Sequence, residues 1–391
     1  MFNSLPIPAA DPILSVAEAF RHDTREHKLD LGIGVYRDTN GQTPVMGAVK
    51  AAAITLANEQ ASKSYIGPAG NPRFNQAVMN LMLGPAYDAA AWVTVQTPGA
   101  SGGLRLLADL IAASQPQACV WLSNPSYVNH APIMQAAGLR VASYPYLNEN
   151  RTQLDRDGFF DTIRQLGPRD VVLLHGCCHN PSGVDLNKSD WRQLASMASA
   201  QGFIPFVDLA YQGFGEGLQE DAMGLQILAE AADQMLAVYS CSKHFGLYRE
   251  RTGAALVKSA DPQRLRSKLF ELARRQYTMP PDHGAEIVAR IMESDTLRHC
   301  WQAELVAMRH QIIHTRHLLA QALNVHGIDA GYLRQHKGMF SMLPLNDMTI
   351  DQLRHDSAIY LVAGGRINLA GLPHNRINDL AVALANNGLI G

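Results

Sequence analysis

The run Ser240-Cys241-Ser242-Lys243-His244-Phe245-Gly246-Leu247-Tyr248-Arg249-Glu250-Arg251 sets one lysine, two serine hydroxyls and a further cation close together. It follows the apolar stretch from Met235 to Tyr239, which reads as a buried strand, so the lysine falls where that strand runs out. A buried ammonium is costly and calls for a partner or a task. The task that suits it is an imine with an aldehyde cofactor. Lys243 supplies the amine, while Ser240 and Arg251 supply what a phosphate needs. That combination points to pyridoxal 5'-phosphate. A free lysine titrates near ~10.4 and would be an ammonium, neither nucleophile nor base; burial and the nearby Arg251 should lower that value.

Other polar residues also follow apolar runs. Thr97-Pro98-Gly99-Ala100-Ser101-Gly102-Gly103 opens a helical pattern, and its backbone N–H groups would suit a phosphate; taken alone it is an ordinary strand–helix turn, and it lacks the Gly-Lys-Ser/Thr ending of a P-loop. Ser123-Asn124-Pro125-Ser126-Tyr127-Val128-Asn129-His130 and His175-Gly176-Cys177-Cys178-His179-Asn180-Pro181-Ser182-Gly183 each carry an Asn-Pro turn signal. His175 and His179 read as hydrogen-bonded structural histidines rather than metal ligands. Asp208, at the end of an apolar run with Tyr211 three residues on, is by default a cap or ion-pair partner. With such a cofactor it becomes the anion that keeps a ring nitrogen protonated, and His130 would brace it from behind.

These positions need a sheet. Strands are predicted near Val93–Gln96, Ala118–Leu122, Val141–Tyr144, Val171–His175, Ile204–Val207, Met235–Tyr239 and Ala254–Val257, with helices between most of them, such as Gly103–Ala113 and Ser189–Gln201. Continuous apolar strands alternating with helices imply an α/β fold with a mostly parallel sheet covered on both faces; the last strand follows by a short turn and could be antiparallel. In such sheets ligands bind at the carboxyl ends of the strands. From Gly284 to about Asn324 the pattern is helical, either a helix pair or one long bent helix, with Gly327 as a stop. The chain has 391 residues, 47% of them hydrophobic, enough for a large domain and a smaller one. A net charge of −2 leaves no footprint for nucleic acid, and no apolar run reaches membrane-spanning length. Residues 1–10 lack the basic-then-apolar order of a signal peptide. Five cysteines, an odd number, read as small core residues of a reducing compartment, with Cys177 and Cys178 on opposite faces of a strand; no metal is implied, and cytoplasm is expected.

The Lys243 segment, the Asn180-Pro181-Ser182-Gly183 turn and Gly364-Gly365-Arg366-Ile367-Asn368-Leu369-Ala370-Gly371 resemble the signature blocks of the aspartate and aromatic amino acid aminotransferases, and the resemblance runs from about Asp11 to the C-terminus. It implies the fold type I architecture of pyridoxal-phosphate enzymes: a seven-stranded sheet domain over 44–305, and a smaller α+β domain from 1–43 and 306–391. It implies that Lys243 carries the cofactor and moves the substrate α-proton. Ala100, Ser101, Ser240, Ser242 and Arg251 would hold the phosphate, Asn180 and Tyr211 the phenolic oxygen, Asp208 the ring nitrogen, and Tyr127 would cover the ring. Arg366 would bind the α-carboxylate, with Gly34 and Phe340 lining the substrate pocket. Tyr65 and Arg274 would cross from a partner subunit, to the phosphate and to a side-chain carboxylate respectively, which makes the expected assembly a homodimer. Arg275 beside Arg274 leaves that assignment open by one residue.

Tyr127 stands where the family usually has tryptophan, Ser101 replaces a common threonine, and Met279 replaces an asparagine or serine. Val35, Arg37 and Thr43 look closer to the aspartate type and Ser101 to the aromatic type. The resemblance therefore implies transfer of an amino group from an aromatic amino acid, aspartate or both to 2-oxoglutarate. A strict aspartate enzyme and a lyase on the same fold remain as alternatives. A cofactor-sensing regulator would need an appended DNA-binding domain, for which the block beginning at Asp11 leaves no room.

Overall fold

The computed structural model describes residues 2–5, 11–85 and 87–387. Residues 1 and 6–10 of the N-terminal stretch read above lie outside that description. All seven expected strands form, each lengthened at one end or both: β1 Trp92–Pro98, β2 Cys119–Asn124, β3 Arg140–Pro145, β4 Asp170–His175, β5 Ile204–Leu209, β6 Met235–Ser240 and β7 Thr252–Lys258. They make one sheet in the order β1-β7-β6-β5-β4-β2-β3. β7 is antiparallel to both neighbours, and the remaining pairings are parallel. The central strands are buried along nearly their whole length, as runs such as Val171-Val172-Leu173-Leu174 require when helices cover both faces.

Local chemistry sets the helix ends. Gly99–Ser114 follows β1 without a linker and buries Leu104, Leu107, Leu110 and Ile111 along one face. Lys188–Gln201 starts at an Asn187 capping box with Asp190 and stops at Gly202, whose φ of +77° suits a residue without a Cβ. The helical stretch after Gly284 is a pair: His283–Glu293, then the 31-residue Asp295–Val325, broken at Ser294.

A separate core gathers Leu29 and Leu31 with Leu319, Leu323, Leu343, Leu353 and Leu380. Here Leu29–Asp30 pairs in parallel with Ile359–Tyr360, so the N-terminal segment returns to the C-terminal lobe. Phe340–Met342 pairs antiparallel with Arg366–Asn368 in the same lobe.

One expectation needs correction. Cys177 and Cys178 do not face opposite sides of a strand: β4 ends at His175, and Cys178 takes a left-handed φ of +52°. Both sulfurs and an Asp221 oxygen lie within 4.8 Å of one another. The Asp221 carboxylate, however, already accepts the backbone N–H groups of Gly213, Gly215 and Glu216. Among the described residues, no helix is long and apolar enough to cross a membrane.

Candidate active site

The carboxyl edge of the sheet opens on a cavity of about 320 Å³. Five strand ends supply it: Ala100 and Ser101 after β1, Tyr127 after β2, His175 and Asn180 at and after β4, Asp208 and Tyr211 at and after β5, and Ser240, Ser242 and Lys243 at and after β6. Arg251 belongs to the same edge because β7 runs the other way: Ser240 is opposite Gly253 and Pro98 is opposite Thr252, so the residue before β7 lies beside the start of the Gly99–Ser114 helix. From the other lobe come Gly34, Phe340 and Arg366.

The anion-binding corner is tightly built. Arg251 Nη1 donates to Ser242 Oγ at 3.3 Å, and a Cβ on Gly99 would lie 2.6 Å from Arg251 Nη2. Gly99 has φ +67°, so both the space and the backbone geometry there require glycine. The free N–H groups at the helix start, the guanidinium and the Ser240 and Ser242 hydroxyls together suit a dianionic phosphate.

Lys243 Nζ donates to the Gly34 carbonyl at 2.9 Å and lies 4.9 Å over the Tyr248 ring. Burial, then the Arg251 and Arg366 charges, move its pKa from the usual 10.5 down to about 8. Asp208 is 7% exposed. His130 Nε2 is 2.9 Å from its Oδ2, whereas Oδ1 is buried without a hydrogen-bond partner. Asn180 Nδ2 donates to Tyr211 Oη at 3.4 Å, and its Oδ1 accepts Arg366 Nη1 at 3.3 Å. Burial raises the Tyr211 pKa, which keeps its phenol protonated and able to donate. Arg366, 5% exposed, also donates from Nη2 to the Gly32 carbonyl at 2.5 Å, and its guanidinium stacks 4.5 Å from the Phe340 ring. His179 is held between Ser123 and Ser182, and burial keeps it neutral with a pKa of about 3.

Two expected residues are elsewhere. Tyr65 is 89% exposed, and Arg274 is exposed near the end of the helix Pro262–Gln276. Neither lines the cavity of a single chain. Arg275 pairs with Glu271 one turn back. Residues that sequence reasoning did not assign include Tyr248, Ile13 and Ile33, all on the cavity wall. Tyr248, five residues past Lys243 in the same turn, was within reach of the sequence; Ile13 and Ile33 carried no local signal.

The residues present fit pyridoxal phosphate, because an orphaned buried carboxylate oxygen, a lysine of lowered basicity and a cationic corner with serine hydroxyls share one cavity. The family model described as aminotransferase class I and II matches residues 26–384. The chain belongs to this aminotransferase family. Its sequence is 44% identical to a tyrosine aminotransferase of Rhizobium meliloti, over 97% of this chain and 98% of that one. It is 39% identical to the aspartate aminotransferase of Escherichia coli, over 98% and 99%. The aromatic-amino-acid aminotransferase of Burkholderia pseudomallei, solved covalently bound to pyridoxal phosphate, superposes with a TM-score of 0.96 at 35% identity, covering 99% of each chain. The protein is thus an aminotransferase of the aromatic and aspartate type, and its cofactor is pyridoxal 5'-phosphate.

In this aminotransferase the lysine has a measurable cost. The lowered pKa means that the unfolded chain binds more protons than the folded one between pH 8 and 10.5. Stability of the cofactor-free protein should therefore rise with pH across that window. Lys243→Met should flatten the slope and stabilise the cofactor-free protein at pH 7 by about 3 kcal/mol. Urea unfolding of both proteins at several pH values checks this; equal slopes would show that the amine is not perturbed.

Proposed function

We propose that the protein moves the amino group of aromatic L-amino acids and of L-aspartate to 2-oxoglutarate in two half-reactions at one site. The observation that carries this is the buried Arg366 sharing a cavity with Lys243 and Asp208. A guanidinium fixed by Asn180, Gly32 and Phe340 offers its fork to an α-carboxylate and so orients the substrate Cα–H bond. Lys243, near neutrality, takes the proton from that Cα. Pyridoxal phosphate, when bound, supplies the electron sink that makes this proton acidic. Asp208 would face its ring nitrogen, Asn180 and Tyr211 its phenolic oxygen, and Arg251, Ser240, Ser242, Ala100 and Ser101 its phosphate, while Tyr127 would cover the ring. The division into 44–305 and a lobe of 1–43 with 306–391 is part of this reading, since substrate then binds between sheet and lobe.

The working unit in this reading is a homodimer in which Tyr65 reaches the partner's phosphate and Arg274 the side-chain carboxylate of a substrate in the partner's site. Their exposure in the single chain, and the absence of an ion pair to Arg274 among the described residues, support it. The free cysteines fit a cytoplasmic setting. A panel of amino acids against 2-oxoglutarate tests the substrate range; activity confined to aspartate would remove the aromatic half. Arg274→Leu should lower kcat/KM for aspartate about 100-fold and leave phenylalanine within about threefold, the loss expected when one partner of a desolvated charge pair is removed. Equal loss on both substrates would show that Arg274 does not meet a side-chain carboxylate.

A further inference from the structure

Arg316 sits in the long helix Asp295–Val325, away from the cavity, and is 1% exposed. So buried a guanidinium is destabilising unless its donors are used; Nε has no hydrogen-bond partner, but both Nη groups do. Nη1 donates to Ser341 Oγ at 2.6 Å and to the Leu333 carbonyl at 3.3 Å. Nη2 donates to the carbonyls of Gly338 and Phe340, both at 2.7 Å, and of Lys337 at 3.1 Å. All five acceptors belong to one segment, 333–341, which runs into the strand Phe340–Met342, and none is a carboxylate. Asp185, whose charge reaches Arg316, is already accepting the N–H groups of Cys178 and His179.

The hydrogen-bond directions follow. Arg316 can only donate, so the Ser341 oxygen accepts. His336 Nε2 is 2.8 Å from the Thr152 carbonyl and must carry a proton, which leaves Nδ1, 3.0 Å from Ser341 Oγ, to accept the serine proton. This segment also docks on the one that bears Asn180. Lys337 N–H donates to the Gly183 carbonyl at 2.7 Å, and a Cβ on Gly183 would lie 2.4 Å from the Phe340 carbonyl oxygen. The Phe340 ring meets the Arg366 guanidinium at 4.5 Å and the Tyr211 ring edge-on at 6.0 Å.

We propose that Arg316 is a positioning residue for substrate binding: by gathering five oxygens of the 333–341 segment it sets Phe340 against Arg366 and so aims the guanidinium that receives the α-carboxylate. This rests on the reading of Arg366 given above. Arg316→Lys keeps the charge but places its three donors on one atom, which cannot span five acceptors. Its KM for aspartate and for 2-oxoglutarate should rise about tenfold, with kcat within about threefold and cofactor absorbance unchanged. The dissociation constant for maleate, a non-reacting dicarboxylate, should rise in parallel. In an Arg366→Leu background the Arg316→Lys change should add nothing to that constant.

An unchanged KM in Arg316→Lys, with weakened maleate binding in Arg366→Leu, overturns the proposal and spares the reading of Arg366. Unweakened maleate binding in Arg366→Leu overturns that reading instead. Losses of kcat and cofactor in step with KM, or additive effects in the double variant, mark a merely structural role and also overturn the proposal. Should Arg316→Lys fail to fold, Ser341→Ala removes one acceptor and should raise the same constants about threefold; no rise overturns the proposal.

Discussion

Lys243→Ala is expected to lower turnover by at least about 10⁴-fold and to leave purified protein without the visible band of covalently held cofactor. The magnitude follows from two losses at one atom. Proton transfer by a placed base contributes roughly 10²–10⁴-fold, and covalent attachment contributes separately. No other amine is among the described residues lining the cavity, and the cations beside Lys243, Arg251 and Arg366, are guanidinium groups. The Gly34 carbonyl, 2.9 Å from Nζ in the parent, would be left facing an empty volume that water can fill. Steady-state rates with aspartate, together with an absorbance spectrum of the folded variant, decide the matter. Turnover within tenfold of the parent would refute the role given to this lysine.

Asp208→Asn is expected to lower kcat on the order of 10³-fold while KM moves far less. The side chain keeps its volume and can still meet His130, so packing is preserved. What disappears is a negative charge whose second oxygen has no protein partner in a buried wall. In a low-dielectric site such a charge is worth far more than at a surface, and placed groups of this kind commonly account for 10²–10³-fold in rate. Removing a buried charge whose Oδ1 has no partner should leave the folded state at least as stable as the parent. Kinetics combined with thermal unfolding therefore separate the two possible roles. A variant that loses stability and rate together would point to a structural carboxylate, and one with unaltered kcat would remove Asp208 from the chemistry.

Much of the architecture was legible because burial on both faces demands long runs of apolar residues, and such runs are local. The seven strands and the helices beginning near Gly99 and Lys188 were therefore readable, with ends displaced by a few residues where pairing extends past the apolar stretch. Lys243 was readable for the same reason: a lysine with hydroxyls at the end of a buried strand conflicts with its surroundings unless it has work to do. The orientation of Cys177 and Cys178 was not, because it turns on a left-handed backbone at Cys178, packed against Gly338, far away in the chain.

Residue types and their order alone determined the fold class, the seven strands of the large sheet, the kind of cofactor and the amine proposed to take it. Only the tertiary structure decided which strand ends meet: that β7 runs backwards and returns Arg251 to the helix start at Gly99, that Gly34, Phe340 and Arg366 close the cavity from a second lobe, and that Tyr248 lies under Lys243. It also left Tyr65 and Arg274 outside the cavity of their own chain. The physical reason is range. Hydrophobic periodicity reports the burial of residues a few positions apart, whereas the direction and neighbours of a strand, and the oxygens gathered by Arg316, are set by contacts between segments far apart in the chain.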